Sequence, residues 1–151
     1  MKLNTASETI NFAVKLENDS AKFYEDAAQK YVKTRKAFLS FAEENKRNRT
    51  LVERTYYEVI SDALEAGFSF EGLNADDYPI ETGLTSDTSY SDVLRRAIGI
   101  EDRIQRFYLD AAEKSKSLMA DVPRAFERVA KRRNERKLKL RSLLKEDCDY
   151  G

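Results

Sequence analysis

One phrase occurs twice in this chain. Leu16-Glu17-Asn18-Asp19-Ser20-Ala21-Lys22-Phe23-Tyr24-Glu25-Asp26-Ala27-Ala28 returns as Ile100-Glu101-Asp102-Arg103-Ile104-Gln105-Arg106-Phe107-Tyr108-Leu109-Asp110-Ala111-Ala112. Each copy sets a glutamate in an apolar stripe, six residues before a Phe-Tyr pair, and closes on two alanines. A buried carboxylate without a partner is strongly unfavourable. In a helical bundle the usual partner is a metal, and this chain has no histidine to help hold one.

The phrase sits in amphipathic helices. Ile10, Ala13, Val14, Glu17, Ala21, Tyr24, Ala28 and Tyr31 recur three and four apart, so the spacing predicts a first helix over about 7–32, with Ser7 as its cap. Phe38, Phe41, Ala42, Asn45, Asn48, Val52, Thr55, Val59 and Ala63 predict a second over 35–66, stopped at Gly67. So short a connection makes these two antiparallel neighbours. Leu94, Ala97, Ile98, Glu101, Ile104, Tyr108 and Ala111 predict a third over 91–117. A fourth over 122–147 follows Asp121 and Pro123, with the seam Phe126, Val129, Ala130, Arg133, Arg136, Leu140, Leu143 and Leu144. Few glycines and prolines and a charged fraction of 36% agree with an all-α reading, and 151 residues suffice for one domain, residues 1–151.

Between the two pairs, 68–89 breaks the helical period with Gly72, Pro79 and Gly83, yet Phe68, Phe70, Leu73, Tyr78, Ile80 and Leu84 are too apolar for a free linker. About twenty extended residues reach roughly 65 Å, against roughly 40 Å for a helix of this size. The segment is expected to cross the length of a bundle while packing on its side.

Net charge is zero but unevenly placed. Residues 55–94 hold nine acidic residues and no Lys or Arg, whereas 122–147 hold ten basic against four acidic. The two stretches are expected to neutralise each other within the molecule or across a homodimer; the other reading is an external polyanion on Lys131, Arg132, Lys137, Lys139, Arg141 and Lys145. No nucleic-acid motif accompanies that run, so nucleic acid is not the expected partner, whereas an unidentified protein partner stays open. Cys148 is alone and has no intramolecular disulfide partner, no stretch approaches a membrane span, and a cytoplasmic protein is expected.

Helix pair, crossover and helix pair, together with the repeat Glu17, Phe23, Tyr24 against Glu101, Phe107, Tyr108 and Phe38, Ala42 against Phe126, Ala130, resemble the rubrerythrin family over nearly the whole chain. The resemblance implies a ferritin-like four-helix bundle. In that family the first helix of each half gives a glutamate and the second a Glu-x-x-His pair, together a di-iron site. Carried over, the glutamates are Glu17 and Glu101, but Asn45 and Asn48 stand at the Glu and His positions of one half, and Arg133 and Arg136 at those of the other. The family's Cys-x-x-Cys rubredoxin module is absent from the sequence.

Glu17 and Glu101 bring two negative charges and Arg133 and Arg136 two positive ones, so arginines replace the charge of the metals. The expectation is a degenerate metal site: a buried Glu/Arg/Asn network, with Tyr24 and Tyr108 as further donors, no catalytic residue and no cofactor. A one-residue slip would turn Arg132 and Asn134 inward instead, but Phe126, Ala130, Leu140 and Leu144 fix the seam from both sides. The function expected is non-enzymatic, structural or interactive. The alternative is a di-metal oxidoreductase acting on peroxide or iron, its iron or manganese held by Glu17, Glu101 and Glu44; a second alternative is polyanion binding by the fourth helix.

Overall fold

A computed structural model of the chain describes residues 1–59, 70, 72–118 and 121–150. Over these residues it is an all-α bundle of four long helices: α1 (Ala6–Lys30), α2 (Arg35–Val59), α3 (Tyr90–Lys114) and α4 (Asp121–Tyr150). Among the described residues there is no strand, only an isolated bridge between Lys2 and Asn74. The expected continuation of the second helix through Ala63 to 66, and its stop at Gly67, lie outside the described residues, as does Phe68.

Hydroxyl caps set the starts of α1 and α3. Thr5, not Ser7, caps α1: its hydroxyl accepts from the Glu8 amide at 3.1 Å, and Glu8 accepts from the Thr5 amide at 3.2 Å. This reciprocal box needs Glu three residues after the cap, which Thr5 has and Ser7 lacks. Ser7 lies inside the helix, its hydroxyl 2.7 Å from that of Tyr56. Ser89 caps α3 through the Asp92 amide, so this helix starts at Tyr90 rather than Ser91. It ends at Lys114, before the turn at Ser115.

Nor does α1 reach Val32; it stops at Lys30 and a 3-10 turn follows at Val32–Thr34. Arg35 closes the corner by donating Nε to the Ala28 carbonyl at 2.8 Å and Nη2 to the Gln29 carbonyl at 3.3 Å. A cation on the last carbonyls satisfies acceptors that a helix end leaves without a partner.

The tightest packing joins α1 with α2 and α3 with α4, and α2 also lies against α4. Cross-helix contacts give the directions. Tyr24 reaches Glu101 while Tyr108 reaches Glu17, so α1 and α3 run antiparallel. Asn45 meets Arg136 and Asn48 meets Arg132, so α2 and α4 do too.

The described stretch 72–89 lies against α1 and α3. Backbone carbonyls of Asp77, Pro79 and Gly83 accept in turn from Arg106, Arg103 and Arg96, climbing α3 against its direction. Lys30 of α1 and Tyr31 just past its end donate to the Thr88 carbonyl at the far end. Gly72, at φ 89, adopts the left-handed turn that an L side chain disfavours, and a Cβ there would lie 3.0 Å from Lys114 Nζ. From Lys114 to Arg96 the climb covers about 27 Å. Phe70, Leu73 and Tyr78 are buried under it, with Tyr78 in a ring cluster with Phe12 and Phe107.

Of the acidic stretch expected to neutralise the basic tail, 60–69 and 71 lie outside the described residues. Among the described residues no ion pair joins 72–94 to α4; the partners of Glu81 and Asp92 are Arg96 and Arg95 of α3.

Candidate functional site

At mid-height the seams of all four helices turn polar at once. Glu17, Asn45, Asn48, Glu101, Arg133 and Arg136 are all buried, with Arg133 at 0% exposure and Arg136 at 3%. Arg132 and Asn134, the pair that a slipped register would bury, stay part-exposed.

Arg133 is the centre. Its Nη1 donates to both Glu101 oxygens at 2.9 and 3.0 Å, and its Nη2 donates to Glu17 Oε2 and, at 3.1 Å, to Ser20 Oγ. One planar guanidinium therefore spans the two repeated glutamates. Arg136 extends the chain of charges: Nη1 donates to Asn45 Oδ1 at 2.6 Å and Glu101 Oε1 at 3.1 Å, and Nη2 to the Phe41 carbonyl at 3.2 Å and Glu44 Oε1 at 2.7 Å. Its guanidinium carbon lies 4.8 Å from the Phe41 ring centroid and 5.4 Å from that of Tyr24. Cation–π attraction and hydrogen bonding thus hold the same group.

The tyrosines exchange partners across the repeat. Tyr24 of α1 donates to Glu101 Oε1 at 2.6 Å, and Tyr108 of α3 donates to Glu17 Oε2 at 3.2 Å. Each tyrosine follows its own glutamate by seven residues, two helical turns, and so shares its face. In an antiparallel pair the two turns cancel, which sets each tyrosine level with the other copy's glutamate.

The charges follow from this geometry. Burial pushes the Glu101 carboxyl up, but Arg133, Arg136 and the Tyr24 hydroxyl outweigh it, leaving it below its ordinary value. Burial and the adjacent carboxylates push the Tyr24 and Tyr108 hydroxyls well above theirs, so both are neutral donors. Arg133 loses by burial and gains more from Glu101 and Glu17, so it stays charged.

Satisfaction is unequal. Both Glu101 oxygens are bonded, whereas Glu17 Oε1, the Asn45 and Asn48 Nδ2 groups and the Nε atoms of both arginines are buried without a hydrogen-bond partner. Asn48 does not serve the carboxylates at all; its oxygen accepts from Arg132 at 2.9 Å.

Sequence reasoning missed Ser20 and gave Glu44 and Lys137 other roles. Ser20 lies one turn beyond Glu17 on the same face, a signal that was legible. Glu44, its side chain 35% exposed, holds the outer end of Arg136 instead of standing with Glu17 and Glu101 as a metal ligand. Lys137 does not belong to the exposed basic run: it is buried, donating to Asp102 at 3.1 Å and Gln105 at 2.8 Å.

The donor set does not fit a di-metal centre. Among the described residues no three His, Cys, Asp or Glu side chains are grouped to hold a metal ion. The lone pairs of Glu101 that would face one are taken by guanidinium N–H groups. A unit positive charge about 4 Å from a divalent ion opposes it by about 8 kcal/mol at an effective dielectric near 20. Comparisons with protein-family models, curated proteins and solved structures find no match.

Proposed function

We propose that this chain is a ferritin-like, rubrerythrin-like bundle with a non-enzymatic, structural or interaction role, in which a buried Glu/Arg/Asn network takes the place of a di-metal centre. The observation that carries the reading is the Arg133 guanidinium bonded to Glu17 and Glu101 together. The internal repeat supports a common plan for the two halves, and the exchange of Tyr24 and Tyr108 between them gives that plan a physical form. Fixed guanidiniums offer no open coordination position and no redox couple, whereas they lock four helices at one register.

A gain-of-ligand variant tests the proposal. Replacing the four substituted positions together, Asn45→Glu, Asn48→His, Arg133→Glu and Arg136→His, is expected to produce a helical protein that takes up about two ferrous ions per chain. The parent chain is expected to take up none under the same conditions. Equal uptake by parent and variant would overturn the proposal in favour of an oxidoreductase, and a well-folded variant without iron would remove the family plan on which it rests.

A further inference from the structure

The face of the bundle away from the crossover carries its own chemistry. A groove of about 330 Å³ between α2 and α4 is lined by Lys46, Arg47, Arg54 and Arg132 over a floor of Thr50 and Leu51. Over the ridge of α2 it continues, through Lys46, Thr50 and Arg54, into a hollow of about 530 Å³ that adds Arg49, Glu53 and Tyr57. The two together present five cationic side chains against two carboxylates, Glu43 and Glu53.

Those carboxylates are already engaged, Glu43 by Lys46 at 3.3 Å and Glu53 by Arg49 at 2.7 Å. Arg47 and Arg54 have no ion-pair partner among the described residues, and Arg132 gives its Nη1 to the neutral Asn48 oxygen. Among the described residues, then, these three arginines along one groove meet no carboxylate at ion-pair distance. Arg47 and Arg54 are two helical turns apart, about 10 Å along α2. Beside Arg54 the Tyr57 ring is 76% exposed, edge-on to Tyr56 with centroids 5.3 Å apart.

We infer that this groove binds single-stranded nucleic acid, with Arg47, Arg54 and Arg132 on successive phosphates and Tyr57 as a stacking platform for a base. A guanidinium grips a phosphate through two parallel N–H groups, which an ammonium does not. An exposed aromatic ring next to a basic track suits an unstacked base, which a duplex does not offer. The inference gives a partner to the interaction role proposed above but stands on the surface alone, so the iron test there and the binding test here fail separately.

The test is fluorescence anisotropy of the full chain with a labelled single-stranded 20-mer of deoxythymidine, titrated with salt. Three phosphate contacts give a slope of about −2 in log Kobs against log salt, an affinity loss of about 16-fold between 50 and 200 mM. Arg47→Gln with Arg54→Gln is expected to weaken binding at 50 mM by about 10-fold or more and to flatten the slope. Tyr57→Ala is expected to weaken it about 5-fold or more with the slope unchanged. A charge-matched control, Lys15→Gln with Arg95→Gln, removes two cations away from the groove and should leave affinity within about 2-fold. All substituted side chains are exposed, and retained thermal melting confirms folding. No binding at 50 mM, equal weakening by the control, or full competition by anionic phospholipid vesicles would each overturn the inference.

Discussion

Glu17 and Glu101 hold the same place in the repeat, yet their surroundings differ. Around Glu101 both oxygens are bonded, by Arg133, Arg136 and Tyr24. Around Glu17 one oxygen is shared by Arg133 and Tyr108 and the other has no partner, and the Nδ2 groups of Asn45 and Asn48 also lack one. The difference traces to what fills the second helix of each pair. Arginine reaches across the core and carries a full charge; asparagine is short and neutral, and Asn48 is drawn aside by Arg132. Identical glutamates therefore carry unequal burdens, and the second helix pair serves both.

Removing Arg133 should expose this most strongly. Arg133→Ala leaves Glu17 and Glu101 facing each other in a buried site, and breaking such a pair costs about 3–5 kcal/mol. Urea denaturation is expected to show that loss, or no cooperative transition at all. A cost near 1 kcal/mol would mean that the two halves do not depend on this residue.

Next, Glu101→Gln is expected to cost about 3 kcal/mol and Glu17→Gln about half of that, since only Glu101 balances two guanidiniums. Equal costs in chemical denaturation would break the comparison. Acid gives the same contrast without mutation. The folded Glu101 carboxyl is held below its ordinary value by Arg133 and Arg136, so its contribution is present above the unfolded value near pH 4.3 and is lost as pH falls through the folded one. The parent chain should therefore lose stability below about pH 4 more steeply than Glu101→Gln, measured by denaturant midpoint against pH.

The smallest effects belong to the tyrosines. Tyr24→Phe removes a 2.6 Å bond to Glu101 and should cost about 2 kcal/mol. Tyr108→Phe removes a 3.2 Å bond to Glu17 and should cost about 1 kcal/mol. Reversal of that order in thermal melts would show that burial, not the paired charge, sets the worth of each hydroxyl.

Much of this was legible in the residues because it is periodic. The four helices, the polar level in their seams and the inward turn of Arg133 and Arg136 all follow from spacing three and four apart. The capping box at Thr5 was legible as well, since Glu8 lies three residues after it, but Ser7 matches the simpler cap pattern equally well. Lys137 was not legible. It adjoins Arg136 at the edge of the buried arc, and only Asp102 and Gln105, far off in sequence, give its ammonium a reason to turn inward. Nor does spacing separate the two asparagines, since the neighbour that takes Asn48 belongs to another helix.

The most direct measurement is the metal content of the native chain, produced in medium rich in iron and manganese and purified without chelators. If guanidiniums stand where the family plan places metals, mass spectrometry should find well under about 0.1 metal ion per chain, unchanged in Glu17→Ala. Near-stoichiometric iron or manganese, lost in Glu17→Ala, would contradict that placement and return the core to metal chemistry.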